Sequence, residues 1–134
     1  MRLEFAQPDG TRGSVELRLG DARAAYRAEL LIDGALVLVA DDDVALPRGA
    51  LLEVRADGLW AELVCETPGE HWGFGLEAFG LRYDDPAEAE VSDRAERVPV
   101  GLDLEWEAPD HVVGELLVGR DRISVDATGT FNPA

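Results

Sequence analysis

Residues 97–107 read RVPVGLDLEWE, in which Val98, Val100, Leu102, Leu104 and Trp106 alternate with Arg97, Pro99, Gly101, Asp103, Glu105 and Glu107. A period of two puts every apolar side chain of this stretch on one side of a pleated strand. Eleven residues at roughly 3.3 Å each span about 36 Å, long enough that the sheet has to curve or coil. Gly101 is the natural place for the bend. Pro99 has no N–H to give to a ladder and suits an edge or the first residues of the strand.

On the C-terminal side, Ala108-Pro109-Asp110 breaks this strand and His111 to Val118 returns along it. Gly119-Arg120-Asp121 then turns the chain into Arg122 to Phe131, with Ile123, Val125 and Ala127 on one face. On the N-terminal side, DDPAEAEVSDRAER (84–97) abandons alternation, and an aspartate before Pro86 at a first helical position reads as a short helix or ordered surface loop. Before it, HWGFGLEAFGLRY (71–83) sets Trp72, Phe74, Leu76 and Ala78 against His71, Gly73, Gly75, Glu77, Phe79 and Leu81, and both faces are apolar enough to be covered. Leu51 to Arg55 and Leu59 to Glu66 flank Ala56-Asp57-Gly58 as a hairpin. ARAAYRAELLI (22–32) mixes helix-favouring residues with a strand face of Ala24, Tyr26, Ala28 and Leu30; Asp33-Gly34 behind it decides for a strand and a hairpin into the apolar run Ala35 to Ala40, which Asp41 to Asp43 ends. A first hairpin, Met1 to Ala6 and Ser14 to Leu19, turns at Pro8-Asp9-Gly10.

About ten strands joined mostly by hairpin turns predict an all-β antiparallel up-and-down meander, and so much sheet with so little helix must close on itself to bury its apolar face. A barrel is favoured over the alternative, a β-sandwich, because consecutive hairpins leave no long crossovers. The 134 residues have the size of one domain, 1–134, burying about two-thirds of their unfolded surface. A net charge of -16 argues against nucleic acid and anionic membrane as partners, since both would repel it. All twelve basic residues are arginine, so neither a Schiff-base lysine nor a lysine phosphate anchor is available. Cys65 is the only cysteine; it rules out an internal disulfide, and Leu63 and Val64 beside it favour a buried, inert thiol. The N-terminal sequence lacks a signal peptide's apolar region, which makes a cytoplasmic protein the expectation.

Among the side chains that carry chemistry, Glu77 lies mid-strand in a segment apolar on both sides. Facing a dry lumen it would hold a raised pKa and act as general acid or base, with His71 or Tyr26 assisting; otherwise it is a carboxylate hydrogen-bonded by Arg82, Arg97 or backbone groups. Trp60, Trp72, Phe74, Phe79 and Trp106 either fill the interior or line a ligand pocket, and the glycines at 73, 75 and 80 favour the pocket. No spacing resembles a zinc motif or a calcium loop, and no metal or cofactor is expected.

The run DGLWAELVCE, HWGFGLEAFGLRYDDPAEA, RVPVGLDLEWE and GELLVGRDRISVD, between Asp57 and Asp126, resembles the N-terminal part of bacterial proteins related to hydroxyneurosporene synthase (carotenoid hydratase), which are built of two lipocalin-like, or calycin-like, β-barrels. The larger proteins continue beyond the position of GTFNPA (129–134) into a second domain. The resemblance implies a lipocalin-like barrel that binds an apolar small molecule, such as an isoprenoid, polyketide or lipid, in its lumen. Two alternatives stand beside this: a cofactor-free cyclase, isomerase or hydratase, and a structural or protein-interaction module with a filled barrel. Apolar faces at 35–40 and 71–81 that need cover point to a homodimer.

Overall fold

A computed structural model describes residues 1–47, 49–89 and 95–134. Ten strands follow in chain order: β1 (Arg2–Ala6), β2 (Arg12–Leu19), β3 (Arg23–Ile32), β4 (Ala35–Ala45), β5 (Leu52–Ala56), β6 (Leu59–Thr67), β7 (His71–Tyr83), β8 (Glu96–Glu107), β9 (His111–Val118) and β10 (Asp121–Asn132). Each pairs antiparallel with its neighbours in the order β4-β3-β2-β1-β10-β9-β8-β7-β6-β5, and a further pairing of β4 with β7 closes eight of them into a barrel. The expected all-β meander is the fold. The β5–β6 hairpin stands outside the closed ring: β7 pairs with β6 over His71 to Ala78 and then with β4 at Leu81, Arg82 and Tyr83. Closure therefore rests on Leu36↔Tyr83, Val37↔Arg82 and Leu38↔Leu81.

The alternating stretch 97–107 lies in β8, between β7 and β9. Val98, Val100, Leu102, Leu104 and Trp106 all point inward and are buried, as their alternation requires. Side chains from all ten strands meet in one apolar cluster, with Leu3, Leu17, Val54, Ala61, Leu104, Val112 and Leu116 having no exposed surface. An eight-stranded barrel is just wide enough for its own side chains to fill. One end is stoppered by rings: Phe131 sits 4.8 Å from Trp72, 5.2 Å from Phe74 and 5.7 Å from Trp106, centroid to centroid. Close strand approach needs glycine at Gly114, where φ is 145° and a Cβ would stand 1.9 Å from the Asp103 carbonyl oxygen.

Three local expectations are corrected. Asp41 to Asp43 do not end their strand: a bulge opposite Ala25 absorbs Asp42 and Asp43, so that Tyr26 pairs with Asp41, Ala24 pairs with Val44, and Val44 returns to the interior. Asp41 Oδ1 accepts the Asp43 N–H at 3.0 Å, and Arg23 Nε donates to Asp43 Oδ1 at 2.6 Å, giving the acids local partners. Cys65 is exposed, because it follows Leu59, Ala61 and Leu63 past the end of the barrel, where the β6–β7 register slips. The outer face of 71–83 is uncovered within the chain, leaving Phe79 and Leu81 exposed. The segment after β7 begins with a single 3-10 turn, Pro86–Glu88, capped by the Asp85 carboxylate accepting the Ala87 N–H; the rest of the expected helix or loop, 90–94, lies outside the described residues.

Candidate binding groove on the outer wall

Pairing registers align one residue from each of six strands across the outer wall: Arg55↔Trp60, Trp60↔Glu77, Glu77↔Gly101, Gly101↔Leu117 and Leu117↔Arg122. One row along, Phe79 faces Pro99; on the other side, Glu62, Gly75, Asp103 and Glu115 form a third row. Two of these positions, Gly75 and Gly101, put no side chain on the surface. Trp60 covers Gly75, whereas Gly101 lines a depression of about 660 Å³ with Trp60, Phe79, Pro99 and Leu117 as its large apolar groups and Glu77, Asp103, Glu115 and Arg122 as its charged ones. That volume falls within the range for small-molecule sites, roughly 300–1,000 Å³.

Each wall of the groove has a local cause. Gly75 seats the Trp60 indole: Cζ3 and Cη2 would lie 3.3 Å from a Cβ there, so a larger residue would displace the ring. Beside Trp60, the Arg55 guanidinium, 2.5 Å away, holds the Glu53 carboxyl below the usual carboxylate range, with a smaller contribution from the Trp60 indole N–H. Phe79 is 55% exposed, with the Arg97 guanidinium carbon 4.4 Å from its ring centroid, and Leu117 is 38% exposed. Arg122 is engaged by Glu115 at 3.1 Å, whereas neither Glu77 nor Asp103 has an ion-pair partner among the described residues.

The sequence-selected side chains divide between the two sides of the wall. Glu77 is exposed on the outside, contrary to a lumen-facing role, because it has opposite parity to Phe74 and Leu76, which point in. Its alternative partners, Arg82 and Arg97, are engaged elsewhere, with Asp84 at 3.6 Å and with the Phe79 ring. Tyr26 is 1% exposed inside the barrel, and burial pushes its hydroxyl pKa far up. His71 lies on the outer face at the start of β7, with Nε2 2.9 Å from Glu105 Oε1. These three do not form one site, so no proton relay from Glu77 through His71 or Tyr26 exists in this geometry. Trp72, Phe74 and Trp106 belong to the aromatic stopper inside, while Trp60 and Phe79 line the groove outside.

The glycines are corrected in the same way. Gly73 under-fills the outer surface, Gly75 is covered by Trp60 and Glu62 at 3.3 Å, and Gly80, which faces inward, has no spare room: a Cβ there would meet the Leu38 carbonyl oxygen and Val100 Cγ2 at 2.9 Å. Sequence reasoning missed Leu117 and Gly101 as groove elements, and Phe131 as the centre of the stopper. Phe131 shares the parity of Val125 and Ala127 and was readable from that alone.

A second depression of about 670 Å³ lies on the opposite wall, with Arg12, Ser14, Thr128 and Thr130 along it and Pro86 at its margin. None of the large exposed apolar side chains belongs to it. The fold is thus a β-barrel that could hold a ligand, and among the described residues two ligand-sized spaces lie on its outside. No family model, no curated protein and no solved structure matches this chain.

Proposed function

We propose that the protein is a lipocalin-like binding module that holds an apolar small molecule on the outside of its barrel, in the groove between Trp60 and Leu117. The observation that carries this is the apolar-floored space of about 660 Å³ over Gly101, between Trp60 and Leu117, on a barrel whose inward-facing side chains pack into one apolar cluster. Lumen binding, the expectation from the family resemblance, would have to displace that packing, and well-packed interiors resist this. The hydratase, cyclase or isomerase reading loses its support because Glu77, His71 and Tyr26 stand apart.

The test is a two-dimensional amide NMR titration with isoprenoids, polyketides and fatty acids, repeated on Gly101→Leu, which fills the groove, and on Leu117→Ala, which widens it. Binding should shift amides of residues 58–60, 76–79, 99–103 and 115–117, and Gly101→Leu should lose affinity by about ten-fold or more. Shifts centred instead on Leu3, Leu17 and Tyr26, buried inside the barrel away from the groove, would place the ligand in the lumen and defeat the proposal. The exposure of Phe79, Leu81 and Leu117 on one wall also supports self-association through that wall; light scattering with Phe79→Ser separates a dimer from a small-molecule site.

A further inference from the structure

Apolar groups account for the groove's floor but not for its charges. Four ionisable side chains line it, three acidic and one basic; Arg122 is engaged by Glu115, so Glu77 and Asp103 are the carboxylates left over. Glu77 stands in the row between Trp60 and Gly101, and Phe79 is two residues along the same face of β7. A carboxylate flanked by aromatic rings is the surrounding that a cation on an apolar body fits: the charge finds a counter-ion, and its methyl or methylene groups lie against ring faces. The protein already makes one such contact for itself, with Arg97 over Phe79 at 4.4 Å. The long-range field has the same sign, since a net charge of -16 draws cations toward the whole surface. An anionic amphiphile such as a fatty-acid carboxylate would instead meet Glu77 and Asp103 with like charge.

Resting on the groove reading above, we propose that the ligand is a cationic amphiphile, an ammonium or guanidinium group attached to an apolar or aromatic body, with Glu77 as its counter-ion and Trp60 and Phe79 as the rings it lies against. Leu117 and Pro99 receive the apolar body across the floor opened by Gly101. Trp60 is a specificity-determining group here, its ring seated over Gly75.

Benzyltrimethylammonium, its uncharged carbon isostere neopentylbenzene and the anion 4-phenylbutyrate are matched probes for an amide NMR titration of the whole protein at low and at physiological salt. The cation should bind at least about ten-fold more tightly than its isostere, and this preference should weaken with salt. Glu77→Gln should erase the preference, whereas Asp42→Asn, which removes a charge at an exposed bulge outside the groove, should keep it. Cation and isostere binding the groove equally well would overturn the charge assignment and leave the groove standing. Asp42→Asn costing as much as Glu77→Gln would also overturn it, in favour of attraction by the overall charge. Neither probe perturbing the groove amides would sink the groove reading together with this inference.

Discussion

Substitutions at Trp106 separate two opposing contributions that the aromatic stopper combines. The side chain is 8% exposed, and its Nε1 is a buried donor with no hydrogen-bond partner among the described residues. Trp106→Ala empties a large site on the strand that the barrel is built around and should cost about 3–5 kcal/mol. Trp106→Phe keeps a ring beside Phe131 while deleting the unpaired N–H. An unsatisfied buried donor costs about 1–3 kcal/mol, which offsets the roughly 1–2 kcal/mol lost with the missing ring atoms. The phenylalanine variant should therefore lie within about 1 kcal/mol of the parent. For 134 residues, an unfolding entropy near 2.1 cal/mol/K per residue converts 1 kcal/mol into about 3–4 °C of Tm. Differential scanning calorimetry should then show Trp106→Ala melting roughly 10–18 °C below the parent and Trp106→Phe within about 4 °C of it. If both variants fall by the same large amount, the indole N–H is satisfied and the reasoning about the stopper fails.

Gly129 and Gly73 test which face of the wall is crowded. A Cβ at Gly129 would stand 2.5 Å from the Glu4 carbonyl oxygen and 2.6 Å from Val112 Cγ2, so Gly129→Ala should cost about 2–3 kcal/mol, whereas Gly73, whose nearest neighbour is Glu66 Oε1 at 4.0 Å, should accept alanine with no loss or a gain of up to about 1 kcal/mol. Urea denaturation of the two variants gives the comparison, and equal midpoints would contradict the registers. Tyr26 supplies a pH test: burial raises its pKa above the ordinary value of 10.0, so the hydroxyl stays protonated in the folded protein while the unfolded chain ionises. The unfolded state then binds fewer protons, and the Tyr26 contribution, fully present below pH 10, is lost as pH climbs above it. Tyr26→Phe should flatten that alkaline fall in stability, and an unchanged urea midpoint between pH 10 and 11.5 would show that Tyr26 is not its source.

Strand content was legible because period-two alternation reports directly on which side of a pleat is dry, and β8 shows this over its whole length. The turn at Asp33-Gly34 was equally plain: φ of 49° and 80° at those residues is the left-handed backbone that such a pair supplies. The bulge at Asp42 and Asp43 was hidden because an acidic triplet reads as a terminus unless the partner strand is known to skip a residue. Glu77 was misplaced although its parity was visible; the apolar look of both faces of β7 concealed that only one of them is inside. The groove could not be read at all. It exists because registers set by several separate turns bring Trp60, Glu77, Gly101 and Leu117 into one row, and no local pattern encodes that alignment.

The seam between β4 and β7 gives the barrel a mechanical character. A tube under strain behaves like a hoop, and a hoop fails at its shortest join. Here the join is three rungs, Leu36↔Tyr83 to Leu38↔Leu81, against the twelve aligned pairs, His71↔Glu107 to Arg82↔Glu96, that bind β7 to β8. Unzipping those rungs would leave every other ladder intact and turn the tube into two leaves, β1 to β4 and β7 to β10, joined along the β1–β10 ladder as along the spine of a book.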